Sequence, residues 1–262
     1  MRPPLLALLT DFGTRDWYAA ALKAVLLSRC PTARLVDITH EVPPQDTVAG
    51  AFILAAAVPW FPRGTVFLAV VDPGVGSRRA IVAAKADGRY FVGPDNGLLT
   101  LSLQRAKQFT AVRLTNPRYW RTPVSATFQA RDIMAPVAAF LASGGALTGL
   151  GAVLSHLSPL ALPSVRQAGS TLRGHVVHID AFGNLVTNLP ASSLAPPSGS
   201  RGVTVRYKRR AVRVVSSYAA GGPSELVAVV GSLGLVELAL CRGSAAWTFN
   251  AARGDEVEVR QA

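Results

Sequence analysis

The 262-residue sequence has little cysteine and no long hydrophobic run. Its two cysteines, Cys30 and Cys241, lie far apart without the spacing of metal ligands, and they fit buried thiols in a reducing cytoplasm. Proline, glycine or charge interrupts every apolar stretch well before the ~20 residues that a membrane span requires. Residues 1–9 lead into Thr10 without a small-residue cleavage site, which predicts a first strand rather than a signal peptide.

Acidic side chains are also scarce. There are 15 aspartates and glutamates against 27 lysines and arginines, which gives a net charge of +12. A basic excess of this size raises the possibility of a nucleic-acid partner. The basic residues are scattered, however, and the densest cluster, residues 206–210, lies between two strand-like segments and resembles a charged hairpin tip. We therefore expect neither a nucleic-acid nor a membrane partner.

The first part of the chain alternates strand-like and helix-like segments, and half of all residues are apolar. The predicted strands are residues 5–9, 33–38, 64–71, 80–85 and 89–92, and the predicted helices are residues 17–28, 43–58, 98–104 and 133–142. Such alternation indicates a parallel sheet with helices on both faces. We predict an α/β domain of this kind, a Rossmann-like α/β/α sandwich, over residues 1–163.

The pattern changes after a linker rich in proline, serine and alanine, residues 157–170. Short segments with period-two alternation follow, at residues 174–179, 185–187, 202–207, 211–215, 226–231, 235–240 and 256–260. Helical signals nearly disappear there. We predict a smaller all-β domain over residues 164–262, either a barrel or a sandwich.

Polar residues follow the predicted strands of the first domain. Asp11, His40, Asp72 and Asp95 each lie at the carboxyl end of a strand, which is where open α/β sheets bind ligands. After Asp72 the chain turns through two glycines and reaches Arg79. An acid, a glycine-rich turn and a guanidinium at such an edge indicate a ligand site. The alternative is a loop in which Asp72 caps the turn and Arg79 is solvated.

Six short motifs, taken together, resemble those of one family. They are residues 9–13 (LTDFG), 37–46 (DITHEVPPQD), 70–76 (VVDPGVG), 93–97 (GPDNG), 127–132 (TFQARD) and 179–184 (IDAFGN). In this order they resemble the S-adenosyl-L-methionine (SAM) hydroxide adenosyltransferases, or SAM hydrolases, which are relatives of the SAM-dependent chlorinases and fluorinases. The resemblance runs through both predicted domains.

The resemblance implies a fold, an assembly and a reaction. The fold is an N-terminal α/β/α domain followed by a C-terminal β-barrel. The assembly is a homotrimer that binds SAM between the N-terminal domain of one subunit and the C-terminal domain of its neighbour. Water attacks the ribose C5′ of SAM and displaces methionine, so the products are adenosine and L-methionine. SAM is the substrate, and we expect no cofactor and no metal.

The resemblance also implies catalytic residues, and one of them departs from the family. Asp72 and Arg79 match the first two members of an Asp–Arg–His set around the attacking water. Gln129 stands where the family has the histidine. Glutamine can hydrogen-bond a water through its carbonyl or its amide, but it cannot take the water's proton near neutral pH. We therefore expect a slow hydrolase in which Asp72 orients or deprotonates the water.

Three residues are candidates for binding the nucleoside part of SAM. Asp11, with Phe12 beside it, can accept hydrogen bonds from both hydroxyls of a ribose, because an ionised carboxylate only accepts. The alternative is that Asp11 caps the helix predicted at residues 17–28. Tyr218 is a candidate for stacking on adenine.

Five further residues, all in the second domain, are candidates for binding the substrate. By resemblance, Asp180 and Asn184 hold the amino and carboxylate groups of the methionine, and Phe182 packs on the adenine or the ribose. The alternative is an ordinary β-turn. Ser232 and Glu237 match a second C-terminal motif of the family. Glu237 is either a partner for the substrate ammonium or a surface residue of a strand.

Two other functions compete with hydrolysis. The first is a non-catalytic protein that binds SAM or adenosine, which the missing histidine motivates. The second is a SAM-dependent halogenase that forms 5′-chloro-adenosine. Against the second stands Asp72, since a carboxylate would repel a halide by ~1–4 kcal/mol at about 4 Å. The halogenating relatives have an uncharged residue at this place.

Overall fold

The structure, a computed structural model, describes residues 3–195 and 202–261. It divides into two compact units, Met1–Ala161 and Leu162–Ala262. The sequence analysis sets the domain boundary after residue 163. Among the described residues, no helix combines the length and the apolar character needed to cross a membrane.

The first unit contains a sheet of seven strands. In chain order they are β1 (Leu5–Thr10), β2 (Arg34–Thr39), β3 (Val66–Val70), β4 (Ile81–Ala86), β5 (Arg89–Pro94), β6 (Phe109–Arg113) and β7 (Val153–Leu154). Their order in the sheet is β2-β1-β3-β5-β4-β6-β7. The first four in this order run parallel, whereas β4, β6 and β7 pair antiparallel with their neighbours.

The prediction of a parallel sheet is therefore wrong for one half of it. Only Asp87 and Gly88 separate β4 from β5, and both have positive φ, 47° and 76°. Two residues suffice for a hairpin, whereas a parallel connection needs a crossover of a dozen or more residues. The short strands β6 and β7 lie where the sequence predicted no strand.

Helices cover both faces of this sheet, as predicted for the sandwich. They are α1 (Tyr18–Arg29), α2 (Thr47–Ala57), α3 (Thr100–Gln104) and α4 (Ala135–Ala142). Leu6 and Leu8 of β1 pack in one core with α1 and α4, while Ala7 and Leu9 pack in a second core with α2 and α3. Because successive side chains of a strand point to opposite faces, a strand buried on both sides reads as an unbroken apolar run.

The four polar strand ends meet at one edge, as predicted. His40, Asp11, Asp72 and Asp95 follow β2, β1, β3 and β5, which are adjacent parallel strands. Arg79 precedes β4, which runs antiparallel to β5, so it belongs to the same edge. The topology thus gathers these residues where α/β sheets bind their ligands.

The second unit is a closed β-barrel. Its strands are β8 (Arg166–Ala168), β9 (Thr171–Ile179), β10 (Leu185–Pro190), β11 (Val203–Tyr207), β12 (Arg210–Val214), β13 (Leu226–Val230), β14 (Leu235–Leu240) and β15 (Glu256–Gln261). The order is β10-β14-β13-β12-β11-β15-β9, and β9 pairs back to β10 and so closes the sheet. The strand β8 extends β9 outside the ring, and a short helix, α5 (Ala245–Thr248), precedes β15.

The structure confirms all seven strands predicted for this unit and decides in favour of the barrel over the sandwich. It adds β8, which lies in the segment interpreted as a linker, and α5. Residues 206–210 form the predicted hairpin tip, because β11 and β12 pair antiparallel around Lys208 and Arg209, both with positive φ. Closure leaves no open edge among the ring strands, which protects them from pairing with other chains.

Candidate active site

The turn between β3 and β4 of the first unit holds a buried ion pair. After β3 the chain passes Gly76, whose φ is +82°, and a side chain at this position would begin only 3.1 Å from the backbone oxygen of Ala126. Nε of Arg79 donates to Oδ1 of Asp72 at 2.7 Å, and Nη2 donates to Oδ2. The side chain of Arg79 is 10% exposed and that of Asp72 is 6% exposed. Arg79 is therefore a bidentate partner of Asp72, not a solvated residue.

Gln129 completes this group from another part of the chain. Nη2 of Arg79 donates to Oε1 of Gln129 at 2.6 Å. Because a guanidinium only donates, its partner must be the amide oxygen, which leaves the amide nitrogen of Gln129 with its two hydrogens for another acceptor. Gln129 directly precedes a π-helical turn, Ala130–Met134, that continues into α4. Such turns occur often at functional sites. The structure thus brings the three predicted catalytic residues together.

A buried carboxylate supports the segment that carries Gln129. Asp132 is fully buried and accepts from Nε and Nη2 of Arg131, both at 2.7 Å, and from the backbone nitrogen of Ser125 at 2.9 Å. Burial disfavours its charge, but these bonds outweigh burial and hold the pKa of Asp132 below its ordinary value. The guanidinium of Arg131 lies 5.0 Å from the ring centre of Phe128. Asp132 ends the motif at residues 127–132, but the sequence predicted no role for it.

Asp11 lies at the same sheet edge and does not cap α1. The residue at the start of that helix is Trp17, and Oδ2 of Asp11 instead accepts from the backbone nitrogen of Gln45 at 2.8 Å. Burial raises the pKa of Asp11, backbone hydrogen bonds oppose this, and the charge of Asp72 raises it further. Two carboxylates therefore influence each other across the strand ends.

The other polar strand ends have partners within the protein. Oδ1 of Asp95 accepts from the backbone nitrogen of Ser158 at 2.8 Å, so this carboxylate holds a loop. The ring of Phe12 packs edge-on against Phe128, with ring centres 5.8 Å apart. His40 is buried, and Nδ1 of its ring lies 2.7 Å from Oγ1 of Thr10. Of these strand ends, the structure joins Asp72 to Arg79 and Gln129.

In the second unit, Asp180 organises the turn between β9 and β10. Its Oδ1 accepts from the backbone nitrogens of Phe182 and Asn184, each at 2.9 Å, and its Oδ2 accepts from Nδ2 of Asn184 at 2.9 Å. This arrangement leaves the ring of Phe182 78% exposed. The turn therefore combines an exposed aromatic residue with a carboxylate and a side-chain amide that bond to each other.

Glu237 is buried, which rules out the alternative of a surface strand residue. It is 6% exposed, and its Oε2 accepts from the hydroxyl of Tyr218 at 2.8 Å. Burial raises the pKa of Glu237, the bond from Tyr218 opposes this, and the charge of Asp180 raises it again. Burial and Glu237 raise the pKa of Tyr218 to about 12. Ser232 lies exposed in the turn between β13 and β14.

A cavity of about 630 Å³ opens beside these residues. Phe182, Asn184 and Tyr218 line it, together with Cys241 and Arg242. This volume suits a small organic ligand, and an aromatic lining with a few polar groups is typical of such sites. Arg242, the second residue after the end of β14, was not predicted from the sequence. Ligand binding at the carboxyl ends of strands is a property of open α/β sheets, so it drew attention to residues of the first domain and to none in the barrel.

Nothing among the described residues resembles a metal centre, since no group of three or more histidine, cysteine, aspartate or glutamate side chains could hold an ion. The charged groups described above instead pair with each other, with backbone nitrogens or with neighbouring hydroxyls.

Comparison with known proteins gives consistent results for both units. The profile of the SAM hydroxide adenosyltransferase N-terminal domain matches residues 6–151, and that of the C-terminal domain matches residues 174–258. A protein of Salinispora tropica named (R)-S-adenosyl-L-methionine hydrolase is 42% identical over 98% of this chain and 97% of its own length. A protein of Thermus thermophilus with the same name is 42% identical over 94% of each chain.

A solved structure and a second group of relatives extend the comparison. The crystal structure of an uncharacterized conserved protein from Thermotoga maritima has a TM-score of 0.88 and 33% identity, and the match covers 97% of this chain and 99% of that chain. A protein of Actinoplanes sp. named fluorinase is more distant, at 28% identity over 99% of this chain and 98% of its own.

Proposed function

The chain belongs to the SAM hydroxide adenosyltransferase family, and from this premise we propose that it hydrolyses SAM to adenosine and L-methionine. The observation that carries this proposal to the level of residues is the contact of Asp72, Arg79 and Gln129 at the edge of the sheet. These three side chains offer an acceptor, a fixed positive charge and a donor within one small region.

The reaction is a displacement at a saturated carbon. A water oxygen forms a bond to C5′ of the ribose while the bond from C5′ to sulfur breaks. The electron pair of that bond goes to sulfur, which changes from a sulfonium cation to the neutral thioether of methionine. The proton lost by the water passes to solvent through Asp72. Holding the water in line with the breaking bond contributes about 7–11 kcal/mol in the best cases.

Asp72 and Gln129 hold the water from two sides in this proposal. The oxygens of Asp72 each receive one bond from Arg79 and retain lone pairs that accept a proton of the water. The amide nitrogen of Gln129 donates to the water oxygen, because Arg79 already occupies the amide oxygen. No strong base is present, and a missing general base typically costs about 10²–10⁴-fold in rate. The enzyme is therefore slow but competent.

The remaining predicted residues bind the substrate. Asp11 accepts from the ribose hydroxyls, and Phe12 is its neighbour at the edge. In the second unit, Asp180, Asn184, Ser232 and Glu237 bind the methionine part, and Phe182 and Tyr218 pack against the nucleoside. The raised pKa of Glu237 supports this assignment, because a buried carboxylate next to Asp180 gains from a cationic partner such as an ammonium group.

The active form in this proposal is a cytoplasmic homotrimer without a cofactor or metal. In the proposed trimer the N-terminal unit of one subunit and the C-terminal unit of its neighbour share each site, and both units contribute candidate residues. Cys30 and Cys241 are both free and buried, which suits a reducing compartment.

A halide is a poorer nucleophile here than water. Arg79 balances the charge of Asp72, but Asp11 lies close enough for the two carboxylates to influence each other. Asp11, Asp72 and Arg79 together therefore carry a net negative charge, and a carboxylate disfavours an anion by ~1–4 kcal/mol at about 4 Å.

A product assay tests the proposed function. Incubation of the enzyme with SAM, with and without chloride, is expected to yield adenosine and methionine in equal amounts under both conditions, as measured by liquid chromatography. A blank without enzyme corrects for spontaneous breakdown of SAM. Formation of 5′-chloro-adenosine instead would assign the halogenase reaction, and bound but unchanged SAM would assign a binding protein.

A further inference from the structure

A buried histidine lies behind the candidate ribose site and takes no part in the proposed chemistry. His40 is 4% exposed, and both of its ring nitrogens are engaged. Nδ1 lies 2.7 Å from Oγ1 of Thr10, and Nε2 lies 3.1 Å from Oδ1 of Asp37. Thr10 is the fully buried last residue of β1, immediately before Asp11. A chain of hydrogen bonds, exposed at Asp37 and buried at His40 and Thr10, thus connects β2 to the residue beside the candidate ribose ligand.

When His40 is neutral, its partners Asp37 and Thr10 determine which atom donates in each of these hydrogen bonds. Burial disfavours the charge of Asp37, but a 2.6 Å bond from Lys23 and the neighbouring His40 hold the pKa of Asp37 below its ordinary value. An ionised Asp37 only accepts, so Nε2 of His40 carries the hydrogen and Nδ1 accepts from the hydroxyl of Thr10. Oγ1 of Thr10 in turn accepts from the backbone nitrogen of Phe12 at 3.2 Å. This chain of hydrogen bonds therefore ends at the backbone nitrogen of Phe12, the residue after Asp11.

The backbone of residues 40–45, the segment after β2, also forms hydrogen bonds to the turn at Asp11. The oxygen of His40 accepts from the backbone nitrogen of Gly13 at 2.7 Å. Further along, the backbone nitrogen of Gln45 donates to Oδ2 of Asp11 at 2.8 Å. The segment after β2 therefore holds the turn at Asp11 by its backbone and by the ring of His40, and it also holds the carboxylate directly.

We propose that His40 is a positioning residue that holds Asp11 in place for the ribose hydroxyls, acting through Thr10 and the backbone of Phe12. The proposal rests on the proposed function, because it takes from there the role of Asp11 as ribose ligand. It predicts that loss of these hydrogen bonds reduces the contribution of the ribose hydroxyls to binding and has a smaller effect on the affinity for the rest of the nucleoside.

The test compares two nucleosides that differ in one hydroxyl group. Adenosine and 2′-deoxyadenosine are titrated into the full-length protein by calorimetry, and the ratio of their dissociation constants is the readout. We expect the wild type to prefer adenosine about tenfold or more, since hydrogen bonds to charged groups are among the strong ones. Thr10→Val keeps the branched shape but removes the hydroxyl, and we expect its ratio to fall towards one. Thr10→Ser keeps the hydroxyl and is expected to keep the preference.

A second pair of variants tests His40 itself. His40→Asn retains an acceptor near the position of Nδ1 and is expected to keep the preference, whereas His40→Leu is expected to lose it. Thermal unfolding checks that each variant is folded. A purely structural role of His40 would weaken both nucleosides by the same factor and leave the ratio unchanged, which would overturn the proposal. Wild type without any preference would overturn it too.

The nucleoside titration also separates this proposal from the proposed function. The ratio of dissociation constants does not depend on turnover, so it is measured even if the enzyme releases no adenosine from SAM. Loss of the ratio in Thr10→Val together with absent turnover would retain the positioning role and refute hydrolysis. Turnover with a ratio that Thr10→Val leaves intact would retain hydrolysis and refute the positioning role.

Discussion

Asp72→Asn is expected to lower kcat for SAM hydrolysis by at least about 10³-fold, because it removes the charge that balances Arg79 and replaces one of the two acceptor oxygens, both of which face Arg79, by an NH₂ group that donates. The variant leaves a guanidinium that is 10% exposed without its anionic partner. This uncompensated positive charge would also repel the sulfonium of SAM and raise KM, an effect separate from the loss in kcat. Adenosine is neutral and is expected to bind with little change, so the loss should lie in the chemical step.

A matched control comes from the same sheet edge. Asp95→Asn removes a carboxylate charge at the end of β5, but an amide oxygen can still accept from Ser158, which Asp95 holds at 2.8 Å. We expect this variant to hydrolyse SAM within about threefold of the wild type, as is usual for changes that keep the local hydrogen bonds. Turnover by Asp72→Asn within tenfold of the wild type would remove Asp72 from the mechanism.

The second large effect is an increase in kcat when Gln129 is replaced by histidine. Gln129→His places a group that can take a proton beside Asp72 and Arg79, and a general base typically contributes about 10²–10⁴-fold. We expect kcat at pH 8 to rise by about 10²-fold over the wild type. Gln129→Met, which has a similar length but neither donor nor acceptor, is expected to be slower than the wild type because it cannot hold the water oxygen.

The pH dependence of kcat separates a new base from a general improvement. A carboxylate, a guanidinium and an amide do not ordinarily titrate between pH 7 and 9, so the wild type is expected to show a flat profile there. The histidine of Gln129→His acts only when neutral, so its advantage should be lost as pH falls through about 6.5, the ordinary pKa of histidine. Equal rates and equal profiles for the two proteins would show that another group handles the proton.

The sequence predicted the pairing of Asp72 with Arg79 at the edge of the first sheet, but it did not predict from spacing the contact that Gln129 adds. Asp72 and Arg79 lie seven residues apart across a tight turn, so their pairing follows from local spacing. Gln129 reaches Arg79 from fifty positions away. Without the resemblance to a family, no periodicity or spacing connects them, because the contact depends on how the π-helical turn before α4 packs. The buried Asp132 that supports this turn was missed for the same reason.

The burial of Glu237 shows a second limit. It lies in β14 between Val236 and Leu238, which pack in the barrel core, so alternation places Glu237 on the outer face and predicts exposure. In the structure its hydrogen bond comes from Tyr218, which lies in a short 3₁₀ turn between β12 and β13. Gly231 leaves the necessary space, since a side chain there would begin 1.7 Å from Oε1 of Glu237. Loop packing of this kind is not encoded in strand periodicity.

Hydrolysis of SAM in water enriched in ¹⁸O tests most directly the central claim that water attacks C5′ of the ribose. Mass spectrometry of the products is predicted to find one ¹⁸O atom in the 5′-hydroxyl of adenosine and none in methionine. Unlabelled adenosine, or label in a fragment of the methionine chain beside methylthioadenosine, would contradict attack of water at C5′.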